Sequence, residues 1–324
     1  MASPLRDRAF IGLQHLLPQH FLSRLVRILT RSRVGLLRTA LIRAFLRGYP
    51  VDLSEAIHAD LSEYRSFNEF FTRRLRPGAR PLDADPRAVV CPVDGQVSQA
   101  GTIEGDTLLQ AKGIRYAATA LLGGDTALAA PFAGGAFATL YLAPHNYHRI
   151  HMPFAGTLRR ARFIPGDLFS VNAATAAGVP GLFTRNERVV CVFDTAAGPL
   201  AVVLVGALFV GSMSLAWCGE VRAPGRAVHE LPVHDPIIAL ERGAELGCFN
   251  MGSTVILMFA PGGPALVEGL RPGRAVKFGE RMTVVDPVRL LERALDAAQL
   301  DVAIEHVFDG GLRECRRFLA DGRD

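Results

Sequence analysis

The sequence predicts an α+β protein, with a β-rich body preceded by basic amphipathic helices and followed by a helical tail. Three observations predict this. From about residue 88 onward, short apolar runs alternate with Gly, Pro and Asp turns, which is the texture of a strand-built body. The first 50 residues place apolar side chains at helical spacing between arginines. Near the end, Val288-Arg289-Leu290-Leu291-Glu292-Arg293-Ala294-Leu295 returns to a helical pattern. The chain therefore divides into residues 1–50, a body over 51–285, and a tail over 286–324 to which the sequence assigns no role.

In the first segment, Phe21, Leu22, Leu25, Val26 and Leu29 share one helical face, and Ser23, Arg24, Arg27 and Arg31 share the other. The pattern recurs with Val34, Leu37, Leu41 and Phe45 against Arg38, Arg43 and Arg47. Nine arginines and one aspartate fall in residues 1–50, so the formal net charge of +5 belongs to this segment and the remainder is slightly acidic. A basic helix rich in Leu and Phe suits an anionic membrane interface, where each arginine contributes about 1 kcal/mol. Packing of the same stripes onto the body is the alternative. Nucleic acid is disfavoured, because no aromatic residues interleave with the basic ones for base stacking. The first apolar stretch is short and broken by His15, Pro18 and His20, a poor secretory signal.

Of the 324 residues, 49% are hydrophobic, enough for a sizeable core in one domain or two. Tyr49-Pro50 closes the first segment. A helix is predicted over Ser66–Leu75, halted by Arg76-Pro77-Gly78. Strands are predicted at Ala88–Cys91, Gln96–Ala100, Phe137–Leu142, Arg188–Asp194, Leu200–Val205 and Val255–Phe259. Residues 196–219 are uncharged and long enough to cross a membrane, but Pro199, Gly206 and Gly211 favour two buried strands. The five cysteines are scattered without a Cys-x-x-Cys pair, which points to a reducing compartment rather than a disulfide framework or zinc ribbon.

The chain is organised around Met251-Gly252-Ser253-Thr254, at the entry to the apolar run Val255–Phe259. A serine there, behind a residue without a side chain, can attack the preceding carbonyl. That attack turns the Gly252–Ser253 amide into an ester, and β-elimination then breaks the chain and leaves a residue that hydrolyses to a pyruvoyl group. The plain alternative is a turn, since Gly-Ser pairs are common in turns and Gly211-Ser212 is another.

Three further segments carry chemistry. Cys91–Gln96 presents Asp94 beside a glycine, otherwise read as a turn former. His145–Pro153 gathers three of the nine histidines, His145, His148 and His151, without an acidic or cysteine partner that would argue for a metal. Phe163–Asn172 and Phe183–Arg188 form the third group. Asp94, His151 and Ser253 are the residue types of a general base that activates a hydroxyl. They would also serve a serine hydrolase, although Ser253 lacks the Gly-x-Ser-x-Gly elbow. A non-catalytic protein of the membrane surface, with Gly252-Ser253 as a turn, is the reading from a different class.

Pro-Val-Asp-Gly at 92–95, Gln-Ala-Lys-Gly at 110–113, Tyr-His-Arg-Ile-His-Met-Pro at 147–153, Pro-Gly-Asp-Leu-Phe-Ser-Val-Asn at 165–172, Phe-Thr-Arg-Asn-Glu-Arg at 183–188 and Gly-Ser-Thr at 252–254 together resemble the phosphatidylserine decarboxylase proenzymes. Phe67-Asn68-Glu69-Phe70-Phe71 and Arg80-Pro81 fit the same family. The resemblance runs from about 60 to about 280, with its motifs in family order. Met251 stands where the family usually has leucine, a volume-conserving change.

The resemblance implies a β-rich catalytic body that cuts itself at Gly252–Ser253 into chains of 252 and 72 residues. These would stay together as a heterodimer, with a homodimer of such pairs left open. It implies a covalent pyruvoyl cofactor from Ser253, and no metal. Asp94 and His151 resemble the pair that supports cleavage, and His148 the residue that contacts substrate and handles protons. The implied reaction is decarboxylation of phosphatidylserine to phosphatidylethanolamine and CO2 in phospholipid biosynthesis, where the pyruvoyl ketone takes up the electrons freed as CO2 departs. The implied setting is peripheral, on the cytoplasmic face of the cell membrane, docked by the basic helices on anionic lipid.

Overall fold

The computed structural model describes residues 4–209, 212–221, 225–233, 237–264, 269–288 and 290. Nearly all of the expected C-terminal helical tail lies outside the described residues. The amino-terminal segment forms α1 (Pro4–Leu16), α2 (Gln19–Thr30) and α3 (Gly35–Gly48). Pro18 separates the first two, because its ring cannot continue a helix.

The polar face of α2, not its apolar face, meets the body. Ser23 and Thr30 are buried, the Phe209 N–H donates to Ser23 Oγ (3.1 Å), and Arg31 grips the Glu220 carboxylate at 2.8 and 3.0 Å. Phe21 (62% exposed), Ile28 (64%), Leu25 and Leu29 face outward. Neighbouring glutamines dock in the same way. Gln14 Oε1 accepts from Ser170 N (2.7 Å), and Gln19 Oε1 from Leu168 N (2.7 Å), while Leu5, Leu13 and Leu16 are exposed. In α3 the alternative holds. Ile42 is buried, and Leu41, Phe45 and Leu46 pack on Tyr64, Phe67, Phe70 and Phe71.

The helix predicted over Ser66–Leu75 is shorter, α4 (Phe67–Phe71), capped where Ser66 Oγ accepts from Glu69 N at 3.1 Å. It stops because Thr72 leaves helical geometry and the buried Arg73 turns to the carbonyls of His145 and Asn146.

The body is built on two antiparallel sheets that share an apolar cluster, with two-stranded ribbons of 88–90 with 281–284 and of 107–111 with 114–117 beside them. The larger orders its strands as 229–230, 156–164, 188–195, 200–205, 253–259, 136–142, 95–102 and 275–276, with 239–240 also pairing on 156–164. The smaller orders 219–221, 213–215, 245–249 and 149–151. The predicted strands are present, and the uncharged 196–219 region contributes Leu200–Val205 to the first sheet and Met213–Leu215 to the second. Among the described residues no helix is long and apolar enough to cross a membrane.

Strand alternation sorts the core. Val255, Leu257 and Phe259 face the small sheet, with Met213, Leu215, Ile150 and Phe249. Ile256 and Met258 face the opposite cluster, with Leu121, Phe132, Leu182 and Phe183. Each such side chain contributes about 1.5–3 kcal/mol by leaving water.

Candidate active site

Ser253 heads the central strand Ser253–Phe259, opposite Leu142 on one side, while Thr254 pairs with both Tyr141 and Val205. The strand is hydrogen-bonded on both edges, so Ser253 is pinned and buried. Its Oγ has no hydrogen-bond partner among the described residues. Leaving a buried hydroxyl unpaired costs about 1–3 kcal/mol.

Also unpaired, besides the neighbouring Thr254 Oγ1, is Nε2 of His148, fully buried. Nδ1 of the same ring lies 2.8 Å from the Asn146 carbonyl oxygen. A carbonyl only accepts, so Nδ1 carries the proton and Nε2 keeps its lone pair. Burial pushes this imidazole down to about 3, so it is neutral at neutral pH. The ring packs 4.1 Å from that of Phe71, and its backbone carbonyl accepts from Phe249 N (3.0 Å). A Cβ added to Gly252 would lie 3.6 Å from Nε2. Two unpaired polar atoms therefore meet at the Gly252–Ser253 pair, one in its serine and one against its glycine.

The approach to that bond is held from two directions. Asn250 Nδ2 donates to Ser212 Oγ (2.9 Å) and Ser214 Oγ (3.2 Å) in the small sheet. Its carbonyl accepts from Asn68 Nδ2 on α4 at 2.7 Å. Met251 packs against the aromatic cluster of α3 and α4.

Asp94 and His151 are brought close by the backbone, since His151 N donates to Pro92 O at 2.9 Å. The expected relay of Asp94, His151 and Ser253 is nevertheless not a hydrogen-bonded chain. The Asp94 carboxylate is taken by the Arg80 guanidinium (2.6 Å at Nη2) and by Phe278 N (2.9 Å). Arg80 also binds Glu55, and both carboxylates hold its pKa up. His151 donates from Nδ1 to Gly243 O (2.8 Å), and its Nε2 accepts from the Tyr147 hydroxyl at 2.9 Å. Its ring stacks on Phe278 at 3.7 Å, and desolvation lowers its pKa. Both ring nitrogens are satisfied, so nothing is left for Asp94.

Gly95 is not a turn former. It opens the strand Gly95–Thr102, and a Cβ there would collide with the Tyr141 carbonyl oxygen. His145 stands apart, with its carbonyl bound by Arg73. The residues missed by sequence reasoning are Gly243 and Phe278, while Tyr147 opens the 147–153 motif but was given no role there. Arg80 carried a signal, being part of the Arg-Pro motif.

The candidate site is a buried serine behind a glycine at the head of the central strand of a nine-stranded antiparallel sheet, with an unpaired imidazole against that glycine. Comparison with known families gives the class of protein. The family model described as phosphatidylserine decarboxylase matches residues 67–284, and a second, described as PSD, matches residues 9–50. The similarity thus reaches into the basic helices, beyond the 60–280 span legible in motifs. The phosphatidylserine decarboxylase proenzyme of Pseudomonas entomophila is 52% identical over 288 residues, covering 86% of this chain and 99% of that protein. That of Ectopseudomonas mendocina is 52% identical over 280 residues, covering 85% and 98%. The chain belongs to the phosphatidylserine decarboxylase family.

Proposed function

We propose that this chain is a phosphatidylserine decarboxylase that matures by cutting itself at Gly252–Ser253. The observation that carries the reading is the pair of unpaired buried atoms, Ser253 Oγ in the Gly252–Ser253 pair itself and His148 Nε2 against Gly252. A base takes the Ser253 proton, and Oγ attacks the Gly252 carbonyl carbon. The C–N bond breaks, the amine takes up the proton, and an ester joins the two segments. Loss of the residue-253 α-proton then expels the Gly252 carboxylate. The dehydroalanine left behind takes up water and releases ammonia to become the pyruvoyl group. That group supplies the electron sink for decarboxylation.

Asp94 and His151 are assigned to support the cleavage, and His148 to hold and return a proton at Nε2 beside the substrate. For His151 to act as the base, Nε2 must leave the Tyr147 hydroxyl. A second reading is favoured by the free lone pair of His148 against Gly252, in which His148 is the base of the cleavage as well. The two chains would remain together. The smaller supplies the central strand, paired on both edges by the larger, and its residues 275–276 and 281–284 pair with 95–96 and 88–90.

The outward apolar faces of α1 and α2 suit peripheral docking on anionic lipid at the cytoplasmic face of the cell membrane, where phosphatidylserine is met. Intact mass under denaturing conditions tests the maturation. Chains splitting at 252/253, with the smaller blocked by pyruvoyl, and release of CO2 from phosphatidylserine are expected. A stable full-length chain with a hydrolase-type acyl adduct on Ser253 would overturn the reading. Co-sedimentation with phosphatidylglycerol vesicles tests docking, and serine at Phe21, Leu25 and Ile28 is expected to abolish it.

A further inference from the structure

Glu187 belongs to the Phe183–Arg188 motif, and the chemistry above does not use it. Sheet register places it. Arg188 pairs with Val205, and Val205 with Thr254. One residue further out, Glu187, Gly206 and Ser253 stand in a row at one end of the sheet, and Gly206 N donates to Glu187 O at 2.8 Å. Alternation puts them on the face of Val189, Leu204 and Val255, which pack together toward the small sheet. Glu187 and Ser253 are two strand spacings apart, about 10 Å. Between them Gly206 has no side chain, and Glu187 occupies that space. A Cβ on Gly206 would come within 3.1 Å of Glu187 Cγ and 3.4 Å of Oε1.

Glu187 lines an open cavity of about 760 Å³ between α2 and this end of the sheet, with His20, Arg24, Arg27, Asp167 and Arg226. Arg27 is engaged by Glu220 and Asp167 by Arg185. Among the described residues, the Glu187 carboxyl, Arg24 and Arg226 have no hydrogen bond or ion pair. Burial alone raises the Glu187 carboxyl to about 7. A half-buried, unpartnered carboxyl and two spare, exposed guanidinium groups lining one cavity match a ligand with a cationic end and an anionic end. The cavity adjoins α2, whose apolar face is turned outward.

We infer that this cavity receives the polar head of the aminophospholipid substrate, with Glu187 accepting the ammonium proton and Arg24 and Arg226 holding the phosphodiester. The inference rests on the decarboxylase reading and adds a base to it. The exchange is balanced: the ammonium loses one proton, the carboxylate becomes a carboxylic acid, and the neutral amine is free to react at residue 253. A carboxyl titrating near neutral pH is matched to that task.

The test uses the full chain after self-cleavage, with Glu187→Gln, Glu187→Asp, Arg24→Ala and Arg226→Ala. Glu187→Gln is expected to be cut as completely as the unaltered protein, to lose roughly a hundredfold in kcat, and to lose the rise of kcat/KM with pH near neutrality. Glu187→Asp should recover part of the rate. The two arginine variants should raise KM for phosphatidylserine with kcat little changed. Unaltered rate and pH profile in Glu187→Gln, or failure of that variant to be cut, overturns the assignment of Glu187. Unchanged KM in both arginine variants overturns the phosphodiester seat. If the unaltered chain itself neither cuts nor decarboxylates, the decarboxylase reading fails instead.

Discussion

Nε2 of His148 faces Gly252, so closely that a Cβ on that glycine would touch it at 3.6 Å. The bond proposed for cleavage therefore has an imidazole against its glycine and the hydroxyl of its own serine, and neither polar atom has a hydrogen-bond partner among the described residues. Unpaired buried groups are expensive, and a catalytic role is one reason for such a cost to be kept.

Ser253→Ala removes one of these costs along with the nucleophile. The variant is expected to remain one full-length chain without activity, yet to be at least as stable as a precursor that keeps the hydroxyl, by up to about 1 kcal/mol. Intact mass and thermal unfolding check both halves. Any cleaved product from this variant removes Ser253 from the chemistry.

The two histidines separate by what they touch. His151→Ala is expected to stall maturation and to destabilise the fold by about 1–3 kcal/mol, because the Tyr147 hydroxyl and the Gly243 carbonyl lose their partner. His148→Ala is expected to mature and then turn over at least a hundredfold more slowly. Mass spectrometry of the fresh protein distinguishes the outcomes. A stalled His148→Ala chain together with a normally matured His151→Ala chain would make His148 the base of the cleavage.

Arg80 is the keystone of the Asp94 side. Its side chain and that of Asp94 are both largely buried, and the contact is forked. Arg80→Ala leaves a buried carboxylate with only the Phe278 N–H, an expected loss of about 3–5 kcal/mol. Arg80→Lys keeps the charge but not the fork, and should recover only part. Urea unfolding of the three proteins in the Ser253→Ala background ranks them.

Acid should weaken the precursor before ordinary carboxylates protonate. The folded pKa of His148, about 3, lies below its unfolded value of 6.5. Its contribution is therefore complete above 6.5 and is lost as pH falls from there toward 3. The loss is at most about 1.4 kcal/mol per pH unit, and His151 adds in the same direction. Glu187 has the opposite sign. Its folded pKa of about 7 exceeds the usual 4.5, so stability is lost as pH rises between those values. In the Ser253→Ala background, His148→Asn should flatten the acid limb. An unchanged limb would show that the imidazole is not held neutral by burial.

Much of this was legible from residues alone. Leu200–Val205 and the run from Val255 to Phe259 were readable because β-branched residues between Gly and Pro turns are a local signal. So was Gly252-Ser253 at the mouth of a strand, and so were the arginine-flanked stripes of α2 and α3. The sequence also suggested Asp94 and His151 as neighbours, and the Pro92–His151 backbone bond joins their segments.

Tertiary structure decided the rest. The stripe of α2 was visible, but its outward orientation depends on Glu220 and the Phe209 N–H, which are remote in the chain. The Asp94 side chain went to Arg80 and not to His151, because a guanidinium fork and a backbone N–H satisfy its oxygens first. The row of Glu187, Gly206 and Ser253 exists only through the register of three strands. Periodicity says which side chains share a face of one element. Which faces then meet is set by long-range pairing, and that is where the chemistry of this protein is assembled.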